Sequence, residues 1–219
     1  MHVTSSLKHY IEKEILPRYD LFDAAHRRDH VLSVIAGSMR LAEQRGLNAD
    51  MTYAIAAWHD VGLANGRERH HLDSASMLLA DTRMREWFTP EQMQVMCEAI
   101  EDHRASAGHE PRSIYGRVVA DADHDNKALT VIERTIQYGW KHYPSLSPEE
   151  HRQRCYAHLL EKYAEGGYLR FWLPESEHSP NLSELRGWMH DRALLDAKYD
   201  EAIRRLQTRE ATFPDTEKE

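Results

Sequence analysis

Residues Ala56–His71 read AAWHDVGLANGRERHH. An apolar segment with helical character runs into an adjacent His59–Asp60 pair, and Gly62 follows almost at once. Beyond a short loop come two more histidines, His70 and His71. Burying a charge or an unpaired imidazole costs several kcal/mol unless something satisfies it, roughly 2–7 kcal/mol for a neutral polar group and more for an ion. The stretch is therefore either a surface segment or a place where something binds, and the residues around it decide which.

Working outward, Met51, Ala54, Ile55, Ala57 and Trp58 form the inner stripe of a helix opening at Ala49–Asp50, with Asp50 as the expected N-cap and Gly62 as the stop. Upstream, Val31, Val34, Ile35, Ser38, Leu41 and Ala42 mark a helix from Asp23 or Ala24 to about Gln44, and Leu7, Ile11 and Ile15 mark one over 4–15 before Pro17. Downstream, a helix is expected from about His71 to Asp81. Thr89-Pro90-Glu91 opens another that carries Met93, Met96, Cys97 and Ile100 and ends near His103. Ser113 can cap a sixth helix through SIYGRVVADADHD, a seventh covers Ala128–Trp140, and an eighth runs from Ser147-Pro148 to Tyr163. Helical sequence resumes over Leu182–Thr208. The segment GGYLRFWLPESEHSP breaks the pattern; it is too apolar for a solvated linker, and packs over the core as a loop or forms one wall of a pocket.

The pattern predicts an all-α, single-domain helical bundle. Its expected parts are an N-terminal helix over 1–22, a core over 23–140, a C-terminal helical extension over 141–208 with the loop 166–180, and a frayed tail over 209–219. A length of 219 residues is ample for a core, and 41% hydrophobic with 29% charged residues is ordinary for a globular protein. A net charge of −8 argues against bulk nucleic-acid binding. No apolar run approaches the roughly 20 residues that cross a bilayer, and MHVTSSLKHYIEKE lacks a signal core, so a cytoplasmic protein without membrane association is expected. Two cysteines, Cys97 and Cys155, are too few for a disulfide framework and read as free thiols. The C-terminal helix is long enough to support a homodimer.

Fifteen histidines are dispersed along the chain, so they are not a tag and their positions matter more than their number. His26 and His30 share a helix face, one turn apart. His59 and Asp60 close one helix, His70 and His71 open the next, His103 closes another, and Asp121, Asp123 and Asp125 follow in the sixth. A helical bundle can converge such positions on one point. Imidazole nitrogen and carboxylate oxygen suit a divalent transition metal of intermediate softness, which would satisfy the buried pair. His2, His9, His109, His142, His151, His158, His178 and His190 read as surface or packing residues.

The ordered set DAAHRRDHVLSVI, AAWHDVG, HHLDSASML, AIEDHR and VVADADHD resembles the HD-domain metal-dependent phosphohydrolases over roughly Asp23 to Ile136. That resemblance implies a five-helix core holding one or two divalent transition metal ions (Mn, Fe, Co, Ni or Zn). It further implies His30, His59, Asp60 and Asp123 as ligands of a first ion and His70 and His103 as ligands of a second. His30 is preferred to His26 because the family ligand directly precedes the apolar stretch, which leaves His26 to the pocket. His70 is preferred to His71 by its offset from Ser74, and Asp123 to Asp121 as the second aspartate of the Asp-Ala-Asp run. Asp125 departs from the apolar residue that many members carry after the last ligand.

Such ions lower the pKa of a bound water and polarise a phosphoryl oxygen. The expected function is hydrolysis of a small phosphorylated metabolite, a nucleotide above others, by attack of a metal-bound hydroxide on phosphorus, with His59 and Asp60 as the catalytic pair. Arg67, Arg69, Arg104 and Lys127 lie near the expected ligands and suit phosphate, with His26 and His71 beside them. The same superfamily includes di-iron oxygenases, and a metal-stabilised binding or regulatory module is the non-catalytic alternative.

Overall fold

The computed structural model describes residues 1–22 and 27–212, with side chains up to Arg209. His26 and residues 213–219 of the expected tail lie outside the described residues. Among the described residues every regular element is helical and none is a strand, as the periodicity predicts. No described helix is long and apolar enough to cross a membrane.

Packing divides the chain into two compact units. The first comprises Met1–Asp125 and Phe171–Glu177, the second Asn126–Arg170 and His178–Glu219. The parting follows Asp125, upstream of the limit at residue 140 drawn from sequence. Its cause is partner choice: α6 (Ile114–His124) packs on α2 (Arg28–Glu43) and α5 (Pro90–Glu101), whereas α7 (Ala128–His142) packs on α8 (Pro148–Tyr163) and α11 (Arg192–Thr212).

At the centre of the first unit stands α3 (Ala49–Trp58), buried at every position from Met51 to Trp58. A helix apolar on all sides is stable only when neighbours cover each face. Here α2, α5, α6 and the N-terminal segment do so. Its N-cap is Asn48, whose Oδ1 accepts from Met51 N at 3.0 Å, not Asp50 as the sequence suggests. Asp50 is engaged elsewhere: its carboxylate accepts from the N–H and hydroxyl of Thr4 at 2.7 and 2.6 Å, which ties the start of the chain to α3. The expected helix over 4–15 is α-helical only as α1 (Ser5–Tyr10). It continues as a π-helical turn over Ile11–Ile15 and a 3-10 helix over Leu16–Leu21, with Pro17 in its first turn, where the missing N–H costs nothing. The change of winding keeps Ile11, Ile15, Leu16 and Tyr19 all buried against the core.

After α3 come a 3-10 turn over Val61–Asn65 and α4 (His70–Ala80), which starts one residue before the sequence estimate. Thr89 forms a capping box with Gln92 at the head of α5, as its Thr-Pro signal predicts, and Ser113 caps α6 by accepting from Gly116 N. In the segment GGYLRFWLPESEHSP, residues 166–170 belong to the second unit. Residues 171–177, including the short α9 (Pro174–Glu177), belong to the first, where Leu173 joins the core. The second unit is completed by α10 (Pro180–His190). There the buried Glu133 of α7 pairs with Arg205 and Arg209 of α11 at 3.1 and 3.0 Å.

Candidate metal centre

The site is built at the C-terminal end of α3. Consecutive helical residues diverge by about 100°, so His59 and Asp60 can share a target only if the helix stops between them. It does: His59 keeps helical dihedrals (φ −53°, ψ −38°), while Asp60 sits at φ −113°, ψ 5°, in the bridge region. Side-chain hydroxyls supply the partners that the turn needs. Tyr19 Oη donates to Ala57 O at 2.9 Å and accepts from Asp60 N at 3.2 Å, and Ser74 Oγ accepts from Gly62 N at 2.8 Å.

Three imidazoles are set by one device. Nδ1 of His59, His70 and His103 lies 2.7, 2.8 and 2.6 Å from the carbonyl oxygens of Ala56, Arg67 and Ile100, each three residues earlier. A carbonyl only accepts, so Nδ1 carries the proton and the Nε2 lone pair faces inward, which is the tautomer a ligating histidine requires. Between them lies the Asp60 carboxylate. Its Oδ2 is 3.3 Å from His59 Nε2 and 3.8 Å from His30 Nε2, and its Oδ1 is 3.3 Å from His70 Nε2 and 3.4 Å from His103 Nε2. Asp123 Oδ1 faces the first pair, 3.1 Å from His30 Nε2 and 3.9 Å from His59 Nε2. The donors thus form two triads that share Asp60: His30, His59, Asp60 and Asp60, His70, His103. Donors held at about 2.1 Å from one ion lie about 3–4 Å apart, as these do.

Burial makes the charge balance exacting. Asp60 and Asp123 resist ionisation through burial. Yet attraction from the imidazoles of His59 and His103 at Asp60, and the His30 hydrogen bond with nearby imidazoles at Asp123, hold both well below the usual carboxylate range. Burial opposes a charge on His59 too, but in the metal-free chain Asp60 and Asp123 overcome it and raise its pKa to about 9, so a metal ion would take Nε2 by displacing a proton. At His70 burial wins and pushes the pKa down to about 4. The buried Asp60 carboxylate and the partly exposed Asp123 carboxylate, set among imidazoles, favour a cation beside them. His59 Nε2 is fully buried without a hydrogen-bond partner, an orphan that a metal ion would satisfy. The residues therefore fit a divalent metal.

The other expected site residues are placed differently. Arg67 is exposed, and its backbone carbonyl, through His70 Nδ1, is what reaches the centre; Arg69 is exposed at the head of α4. Arg104 NH1 donates to Glu68 O at 2.8 Å, bracing the loop before His70. His71 packs edge-on against His70 with ring centroids 5.5 Å apart and belongs to neither triad. Lys127 is exposed and falls in the second unit, immediately before α7. Asp121, two residues from Asp123, accepts from the N–H groups of Trp172 and Leu173, both at 2.9 Å, and takes no part in the triads. Tyr19 at this site had no signal in the sequence, because a lone tyrosine far upstream carries no motif.

The family model for the HD domain matches residues 27–126. A crystal structure of a Lactobacillus plantarum protein is similar at 19% identity, covering 92% of this chain and all of that one, with a TM-score of 0.61, which speaks for a shared fold. A predicted HD superfamily hydrolase from an uncultured Thermotogales bacterium matches at 18% identity over 71% of this chain and 86% of its own, with a TM-score of 0.45. No curated protein matches the chain significantly. With its ordered histidines and aspartates gathered on one centre, the chain carries an HD domain over residues 27–126.

Proposed function

We propose that the chain is a metal-dependent hydrolase of a small phosphorylated metabolite, with a nucleotide as the first substrate class to test. The observation that carries this reading is the placement of Asp60, whose two oxygens each face a separate pair of imidazole Nε2 atoms. A carboxylate so placed suits a bridge between two ions, with His30, His59 and Asp123 on one side and His70 and His103 on the other. Divalent ions held there would supply Lewis acidity toward a phosphoryl oxygen and a lowered pKa for a water.

The chain's own contribution is orientation and charge. The Nδ1–carbonyl hydrogen bonds fix three imidazoles in one tautomer, so that none has to reorient as a substrate arrives. Asp60 and Asp123, ionised through their histidine neighbours, draw cations to the centre. Arg104, next in sequence to His103 and held against Glu68 O, is a candidate partner for a phosphate oxygen.

Phosphate release from a panel of nucleotides with manganese, cobalt or nickel tests the proposal. Turnover with two metal ions per chain is expected, falling to background in His59→Ala and Asp60→Ala, with His103→Ala retaining one ion. Two irons per chain with oxygen consumption and no phosphate release would replace hydrolysis by oxygenation. Bound metal without either reaction would leave a binding module.

A further inference from the structure

We propose that Tyr19 is a positioning residue of the metal centre: its hydroxyl ends α3 so that His59 and Asp60, neighbours in sequence, face one ion. The inference rests on the metal ligation proposed above and adds a residue outside the stretch that matches the HD family, which begins at residue 27.

Three observations carry it. First, Tyr19 is fully buried, yet its hydroxyl is engaged twice, donating to Ala57 O at 2.9 Å and accepting from Asp60 N at 3.2 Å. Those are a carbonyl and an amide that a continuing helix would have paired within itself, so the hydroxyl stands where the next turn would begin. Second, Asp60 leaves helical geometry at that very residue, and this departure swings its carboxylate between the two imidazole pairs. Third, the Tyr19 ring lies alongside that of His59, with centroids 6.3 Å apart, and packs edge-on against Phe22. The ring is thereby held on the ligand's outer side while the hydroxyl sets the backbone. Tyr19 touches no reacting atom in this arrangement; it acts through Asp60 and His59.

Tyr19→Phe keeps the ring and removes only the hydroxyl. Leu7→Ala serves as a control: it loosens the same N-terminal segment through a fully buried side chain that has no hydrogen bond to the centre. Full-length wild type and both variants are stripped of metal and titrated with cobalt(II), following the visible absorption bands, and apo melting temperatures are recorded alongside. Tyr19→Phe is expected to bind cobalt about 10- to 100-fold more weakly, the usual effect of losing a group that orients a ligand, with shifted bands, while Leu7→Ala loses stability but keeps the wild-type spectrum and affinity. Equal cobalt affinity and bands in Tyr19→Phe and wild type would overturn the proposal, as would equal losses in both variants. Failure of the wild type to bind cobalt would instead strike the metal reading itself. If Tyr19→Phe does not fold, amide exchange at Asp60 in the metal-free wild type decides: slow exchange supports the hydroxyl contact, and exchange at the rate of an open loop overturns it.

Discussion

Gly62 and Ser74 are joined where two backbone segments approach closely: the Gly62 N–H donates to Ser74 Oγ at 2.8 Å, and a Cβ on Gly62 would lie 2.2 Å from His70 O and 2.5 Å from Ser74 N. The turn after His59–Asp60 therefore presses directly on the first turn of α4, the turn that carries His70. This contact sets the spacing between the two His/Asp triads, and it exists because residue 62 has no side chain.

Gly62→Ala should separate α3 from α4, since both close atoms are backbone and neither can rotate away. A fall in melting temperature is expected together with weaker metal binding at the Asp60, His70, His103 triad, because His70 moves with the head of α4. Ser74→Ala is milder. It leaves one buried N–H unpaired, at about 1–3 kcal/mol, or very roughly 2–12 °C at about 2–4 °C per kcal/mol for a chain of this size. Metal analysis beside thermal melts checks both, and an alanine at 62 with wild-type stability and metal content would contradict the packing described.

Much of this was legible in advance, and the exceptions share a cause. The heads of α5 and α8 could be read because Thr89-Pro90 and Ser147-Pro148 are local signals, complete within four residues. Asn48 and Asp50 are both good capping residues, and the choice between them was made by Thr4, which occupies the Asp50 carboxylate from 46 residues away. Arg67 was legible as a charge, but the centre uses its carbonyl, which every residue type possesses. The ordered histidines mark the centre because ligand chemistry restricts residue type. Tyr19 stayed hidden because a hydroxyl filling a helix end depends on the fold and leaves no spacing in the sequence.

The two cysteines offer a pH test that does not involve the carboxylates of the centre. Burial, reinforced by Glu101 and Glu98, pushes the Cys97 thiol up to about 11, and burial pushes Cys155 up to about 12. Both are free and buried. The reactive thiolate is therefore nearly absent at pH 8, and a disulfide reagent should modify neither residue in the native protein but both once denaturant is added. The linkage has a definite sign. The unfolded thiols lose their protons near pH 8.5–9 while the folded ones keep them, so stability must decline as pH rises from about 9 toward 11–12. Cys97→Ser with Cys155→Ser lessens the slope between about pH 9 and 10, below the range where the buried tyrosines add their own, and rapid labelling of the native protein at pH 8 would refute the burial of these thiols.

Asp121 and Asp123 separate cleanly by substitution, because residues two apart on a helix point about 200° from one another. Asp123 looks toward His30 and His59. Asp121 looks toward the returning segment and receives the N–H groups of Trp172 and Leu173. Its pKa rises to about 6 since burial outweighs the hydrogen bonds from Trp172, Ser176 and Leu173. Asp123→Ala should lower metal content while leaving residues 171–177 in place. Asp121→Ala should do the reverse, stranding two backbone donors at about 1–3 kcal/mol each and loosening the Phe171–Glu177 segment from the first unit. Limited proteolysis followed by mass spectrometry reads the second effect as new cleavage between residues 166 and 180, and metal analysis reads the first. Metal loss in Asp121→Ala without new cleavage would mean that the two aspartates do not divide the work in this way.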